Sequence, residues 1–267
     1  MELDKAIKKT LAYASFFHYT PSQEEVHHWL ISPKIFTPEK TNKHTKNFVA
    51  QKSLSVSTTQ KIEYAQLLAS KLRYFSWIKM LAITGSVAAN NSQVKDDIDI
   101  MCVTRANTLW ITRPLFLIYL SLFFKRRKRN DKGTTRDLFC PNLWLDEQSL
   151  ELQVSNRNLY TAHEILQIIP IINREQTYEK FITQNFWVKK HLANAYYLTT
   201  HNHSFSHSVT PSLVQNLFDK LLVPVNLGFY FLQYLYMLPY KTTEKTSLYS
   251  AFLHTVDYNN IIKKHLT

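Results

Sequence analysis

Residues 80–104 read MLAITGSVAANNSQVKDDIDIMCVT. The run MLAIT (80–84) is short, apolar and closed by Gly85-Ser86, which marks a strand ending in a tight corner. A polar turn or short helix follows, and DIDIMCVT (97–104) alternates as a strand. Strand alternation puts Asp97 and Asp99 on one face and sends Ile98 and Ile100 into the opposite layer. Two neighbouring carboxylates repel, and both stay ionised only with a cation between them. Oxygen-only ligands suit Mg²⁺ or Mn²⁺, which complete their shells with water and substrate phosphate oxygens. The Gly85-Ser86 corner complements them with a close backbone approach, free N–H groups, a hydroxyl and a helix start, the groups that a triphosphate requires.

Outward from this block, KIEYAQLLASKLRYFSWIK (61–79) sets Ile62, Ala65, Leu68, Ala69, Leu72 and Phe75 on one face and predicts an amphipathic helix. Residues 4–31 read as two short helices, the second started by Thr20-Pro21-Ser22 with Glu24 and Glu25 in its first turn, in a plain hairpin or a helix-turn-helix. Pro33 and Pro38 end that unit, and 39–47 reads as a linker or exposed turn. Downstream, a helix is expected over about 108–124, then a basic loop at 125–132. DLFCPNLWL (137–145) is a third strand that Pro141 consigns to an edge or a bulge. Beyond Leu152 the periodicity is helical, over about 159–169, 177–192 and 212–238, with a last amphipathic piece near 247–265. No repeat period is visible. The fold class is α+β, with an N-terminal helical unit (1–60), a central α+β core (61–155) and a helical C-terminal domain (156–267).

The 267 residues are 45% hydrophobic, 13% aromatic and only 19% charged, which excludes disorder and supports a sizeable core. Two cysteines, Cys102 and Cys140, cannot staple a chain of this length, so a reducing, cytoplasmic location is expected. The net charge of +12 calls for a polyanionic partner: nucleotide phosphates, nucleic acid or an anionic membrane face. Three glycines (Gly85, Gly133, Gly228) are so few that each is expected where a side chain does not fit.

The N-terminal LAYASFF run is too short and too acidic in its flank for a signal peptide. PLFLIYLSLFF (114–124) covers about half a bilayer span, and LLVPVNLGFYFLQYLYMLPY (221–240) has full length. Pro224, Asn226, Gln233 and Pro239 interrupt the second run. Both are expected as buried or partner-facing helices of a soluble protein, with peripheral membrane attachment through the basic run as the other reading.

The block ITGSVAANNSQVKDDIDIMCV resembles the signature of the DNA polymerase β-like nucleotidyltransferase superfamily: Gly-Ser, a gap of about ten residues, then Asp-hydrophobic-Asp-hydrophobic. A looser likeness to uncharacterised bacterial predicted nucleotidyltransferases extends over the N-terminal helices, Leu-Trp-Ile-Thr-Arg (109–113), CPNLWL and NLYTAHEI. The resemblance implies a small mixed sheet with helices, flanked by a winged-helix-like N-terminal unit and an α-helical C-terminal domain. It implies that Gly85 and Ser86 hold phosphates, that Asp97 and Asp99 hold Mg²⁺ or Mn²⁺, and that a nucleoside monophosphate passes from a nucleoside triphosphate to a hydroxyl with release of pyrophosphate. The acceptor would be nucleic acid or a small molecule.

The family places a third carboxylate on the next strand, and here the chain departs from it. Asn142 occupies that place, on a face expected to carry Leu138, Cys140 and Trp144 as well. Asp146 closes the strand as a catalytic candidate, and Asp137 opens it on the other face. Lys95 and, within KRRKR (125–129), Arg126 and Arg127 are candidate nucleotide contacts. The alternative is a catalytically degenerate member acting as a nucleic-acid-binding or regulatory protein. Of the remaining motifs, HNHSFSH (201–207) has metal-like spacing without an evident fourth ligand. HEILQ (163–167) lacks the second histidine of a zinc-protease helix, and both cysteines read as small buried residues.

Overall fold

A computed structural model describes residues 2–45, 55–128, 134–202, 213–253 and 258–266. Four helices, α1 (Glu2–Phe16), α2 (Gln23–His28), α3 (Pro38–His44) and α4 (Val56–Lys71), precede β1 (Ile78–Ile83). The short α5 (Gly85–Ala88), β2 (Ile98–Thr104), α6 (Leu109–Phe123) and β3 (Phe139–Asp146) come next. They are followed by α7 (Leu159–Gln167), β4 (Ile169–Asn173), α8 (Thr177–Gln184), α9 (Ala193–Asn202), α10 (Leu213–Met237), β5 (Lys245–Ser247), β6 (Ser250–Phe252) and α11 (Tyr258–Leu266).

Local chemistry sets the helix ends. Ser22 starts α2 with a capping box: its hydroxyl accepts from Glu25 N, and the Glu25 carboxylate accepts from Ser22 N at 2.7 Å. Pro38, at the first turn of α3, begins a helix where an exposed turn was expected, because a proline there lacks only an N–H that would have no helical partner. The helix expected to reach residue 79 stops at Lys71. Arg174, just past β4, collects the carbonyls of Leu72, Arg73, Phe75 and Ile78, so the chain leaves the helix with its acceptors satisfied.

The strands form one mixed six-stranded sheet in the order β4-β1-β2-β3-β6-β5. Only β2 and β3 run parallel, and α6 makes the crossover that a parallel pair requires. One face carries Leu81, Ile83, Ile98, Ile100 and Trp144 against Leu68 of α4 and Trp110 and Phe116 of α6. The other carries Met80, Ala82, Met101, Val103 and Leu145 against α7, α8 and Tyr13 of α1. The chain is therefore α+β with the sheet between two layers of helices. Residues 156–267 are not wholly helical, because they supply β4, β5 and β6 to this sheet. Gly228, on α10, faces open space and is not sterically required.

Pro141 lies not at an edge but at a bulge. Ile100 pairs with Pro141 and Met101 with Leu143, so Asn142 is the extra residue. Cys140 and Asn142 consequently turn toward Asp99. Beyond the bulge the alternation shifts by one, and Trp144 packs on the face opposite to the one expected.

Candidate active site

The site is built where β1 turns into α5, where β2 begins and where β3 bulges. Asp97, Asp99 and Cys140 each bring a ligand-type atom within 4.8 Å of the others. Asn142 Nδ2 donates to Asp99 Oδ1 at 2.5 Å, and the Cys140 thiol also bonds this carboxylate. Asn142 Oδ1 is buried without a partner. Gly85 has φ +63°, and a Cβ there would stand 2.5 Å from Asp99 Oδ2. The glycine is what lets the backbone and the carboxylate approach so closely.

The surroundings hold this floor in place. Ser86 donates from Oγ to Asp96 Oδ2 (3.2 Å), which also accepts from Gln93 N at 2.9 Å. The backbone at 125–127 is tied to β3, with Arg127 N bonding Phe139 O and Phe139 N bonding Lys125 O, each at 2.9 Å. This docks Arg127 beside the acids, where its Nη1 lies 2.6 Å from Asp97 Oδ2. The floor opens into a cleft of about 1230 Å³. Tyr13, Phe17 and Trp29 form an aromatic wall, Tyr160 and Glu164 of α7 a second, and Arg113, Arg126 and Lys241 a cationic third.

Charge is concentrated and poorly hydrated here. Burial, and then the neighbouring charges of Asp97 and Glu164, push the Asp99 carboxyl up to about 8. Burial raises Glu164 to about 7 against an opposing hydrogen bond from Tyr160. Burial and the nearby Arg126 lower Arg113 to about 10, and its Nε has no partner. The site thus combines a close pair of carboxyl groups on its floor with cations on its wall, the arrangement expected of a pocket for a metal-bound polyanion.

Of the residues expected from sequence, Gly85, Ser86, Asp97, Asp99, Asn142, Arg126 and Arg127 all line this cleft. Lys95 does not: it is exposed, and its carbonyl accepts from Thr135 Oγ1. Asp146 does not either. It pairs with Thr104 while Asp99 pairs with Cys140, which puts it about 16 Å along the strands. Fully buried, it accepts from Asn107 N and Gln148 N and shapes the turns there. Asp137 has φ +58° and forms ion pairs with Lys61 and Arg136. Sequence reasoning missed Cys140, Arg113 and Glu164 as cleft residues. The signal for Glu164 was a carboxylate inside the apolar run of α7, flanked by His163 and Ile165, both buried. His163 itself is stacked on Tyr13 and burial lowers it to about 3, so it stays neutral. His203 and His207 of the histidine run lie outside the described residues.

No protein-family model, curated protein or solved structure matches the chain.

Gly85 provides a direct check. Gly85→Ala adds a Cβ within 2.5 Å of Asp99 Oδ2 in a left-handed conformation that costs an alanine about 1–2 kcal/mol. The expected outcome is a folded protein, slightly lower in urea midpoint, whose Mg²⁺ binding measured by calorimetry is lost. Unaltered Mg²⁺ binding would show that the close approach has no function.

Proposed function

We propose that the chain is a Mg²⁺- or Mn²⁺-dependent nucleotidyltransferase, moving a nucleoside monophosphate from a nucleoside triphosphate onto a hydroxyl of its acceptor and releasing pyrophosphate. We read β1, α5, β2 and β3 as a polymerase β-like core. The observation that carries the proposal is the Asp97–Asp99 pair held against Gly85 at the floor of a cleft with a cationic wall.

The donor set fits a hard divalent cation. Asp97 and Asp99 supply carboxylate oxygens, and the orphaned Asn142 Oδ1 is a third hard oxygen. Burial pushes the Cys140 thiol up, so it stays protonated and is no competing ligand. A cation held there supplies charge neutralisation at the phosphates and polarises the phosphoryl oxygens.

The chain's own residues account for the rest. Arg127 exchanges Asp97 for a phosphate oxygen, and Arg126 and Lys128, which also line the cleft, offset the remaining phosphate charge. The acceptor hydroxyl oxygen bonds the α-phosphorus as the bond to the β-phosphate's bridging oxygen breaks. The hydroxyl proton passes to Glu164, which at about 7 is ionised in part at neutral pH and basic enough to take it.

This arrangement has a pH signature. Without cation, Asp99 holds its proton below about pH 8, and binding must displace it. Mg²⁺ affinity should therefore rise with pH, by at most about tenfold per unit, and level off above 8. Calorimetry at pH 7 in two buffers of different ionisation enthalpy should register release of about one proton per cation. Mg²⁺ binding without proton release, or none at any pH, would contradict the proposal.

The Arg127–Asp97 ion pair favours one second reading. It neutralises Asp97 without a cation, as a degenerate, nucleic-acid-binding protein would. That protein would bind nucleic acid with a steep salt dependence, indifferent to Mg²⁺ and to Asp97→Asn.

A further inference from the structure

Helix α10 is built inside out. Two polar residues of its 221–237 part face the protein: Asn226 Oδ1 accepts from Trp110 N at 2.8 Å, and Gln233 donates to Trp110 O at 2.6 Å and accepts from Arg113 Nη1 at 2.7 Å. Most apolar residues of that part face outward, with Leu221 65%, Leu232 67%, Leu235 61% and Tyr236 76% exposed, while Tyr230 and Met237 pack inward. The stretch Lys220–Tyr240 is long and apolar enough to cross a membrane by length and composition, yet only 6% of it is buried. Helix α6, packed beside it, adds exposed Leu115, Ile118, Leu122 and Phe123 to the same pair of elements. Neither 114–124 nor 221–240 contains a charged residue. Apolar surface on this scale marks an interaction face.

The geometry points to an anionic membrane surface as the occupant, with α6 and α10 lying in the headgroup region and not spanning it. Charge complementarity decides between this and a second copy. Cations stand at the ends of the uncharged stretches: Lys220, within α10, directly before 221–240, Lys241 directly after it, and Lys125 directly after 114–124. The chain carries +12 overall, so two such faces brought together would oppose like charges, whereas anionic headgroups neutralise them. Lys241 Nζ stands 5.1 Å from the Tyr234 ring and follows Tyr240, whose ring is 6.4 Å from that of Tyr236, and such amphipathic rings belong at a membrane–water boundary. The inference is independent of the nucleotide reading, although the cleft shares Leu117, Tyr234, Tyr240 and Lys241 with these elements and would open beside the headgroups.

The test is co-sedimentation of the full chain with phosphatidylcholine vesicles, with and without phosphatidylglycerol. Pelleting is expected with the anionic vesicles and about tenfold weaker or more with the neutral ones. The double variant Leu232→Glu/Leu235→Glu should abolish it without lowering the thermal midpoint, because both side chains are exposed. Lys220→Glu/Lys241→Glu should weaken it while leaving the apolar face intact. Failure to pellet, pelleting unchanged in the Leu232/Leu235 variant, or a solution dimer that this variant converts to monomer would overturn the proposal, the last by assigning the face to a second copy.

Discussion

Asp97→Asn should lower nucleotide transfer by about 10³-fold or more, equivalent to roughly 4 kcal/mol of transition-state stabilisation, while leaving the fold intact. The amide keeps the shape and removes the charge. It also frees Arg127, which loses its 2.6 Å partner and becomes an uncompensated cation beside Asp99. Two effects follow from one substitution: a hard oxygen with full negative charge leaves the proposed cation site, and the local potential shifts toward positive. The fold is insensitive because the Asp97 side chain lines the cleft and supports no helix cap or core contact. Pyrophosphate released from ribonucleoside triphosphates with Mg²⁺ and a pool of hydroxyl acceptors gives the activity, and thermal unfolding gives the control. Retained full activity would remove Asp97 from the chemistry.

The largest stability effect is expected at Lys61. This lysine of α4 is 2% exposed, and its ammonium donates to Gln93 O and Ser57 Oγ at 3.0 Å and to Val94 O at 3.2 Å, with Asp137 Oδ1 also 3.2 Å away. Lys61→Met keeps the buried stem but takes the ammonium from Val94 O, from Ser57 Oγ and from Gln93 O, which keeps Asp96 N and Ser92 Oγ as donors, and it removes the cation paired with Asp137, at a cost of about 2 kcal/mol. Asp137 is half exposed and recovers water, which limits the loss. The same turn carries Gln93 N to Asp96, the acceptor of Ser86 Oγ, and leads directly into Asp97. A lower urea midpoint should therefore accompany weaker Mg²⁺ binding, although Lys61 does not line the cleft. Loss of stability with undiminished Mg²⁺ binding would separate the turn from the site.

The sequence put Ile62 on the buried face of α4, whereas the helix turns Lys61 inward beside Ala65, Leu68 and Leu72, so a buried cation with polar partners was not read there. The β1–Gly85–β2 unit, α6 and the strand at 139–146 were readable because each has a clean period or a breaker. Strands β5 and β6 were not: KTS and SAF are three residues each, too short to show alternation, and become strands only by adding to the edge of β3. Strand β4 was hidden between the helices expected over 159–169 and 177–192, and its Pro170 sits where β4 pairs irregularly with β1 at the sheet edge. Asp146 misled because residue type and spacing fitted a third carboxylate. Register along a parallel pair, which sequence does not fix, carried it to the far end. Asn142 bonds Asp99, and the bulge that delivers it there also reversed Trp144.

The most direct measurement is thermal unfolding of wild type and Asp97→Asn with each of the four ribonucleoside triphosphates, with and without Mg²⁺. A ligand at a hundred times its dissociation constant adds about 2.7 kcal/mol, a shift of roughly 5–10 °C for a chain of this size. The expected result is a Mg²⁺-dependent rise in wild type that Asp97→Asn abolishes. No rise with any triphosphate, or one indifferent to Mg²⁺ and to the substitution, would contradict a nucleotide site at Asp97 and Asp99.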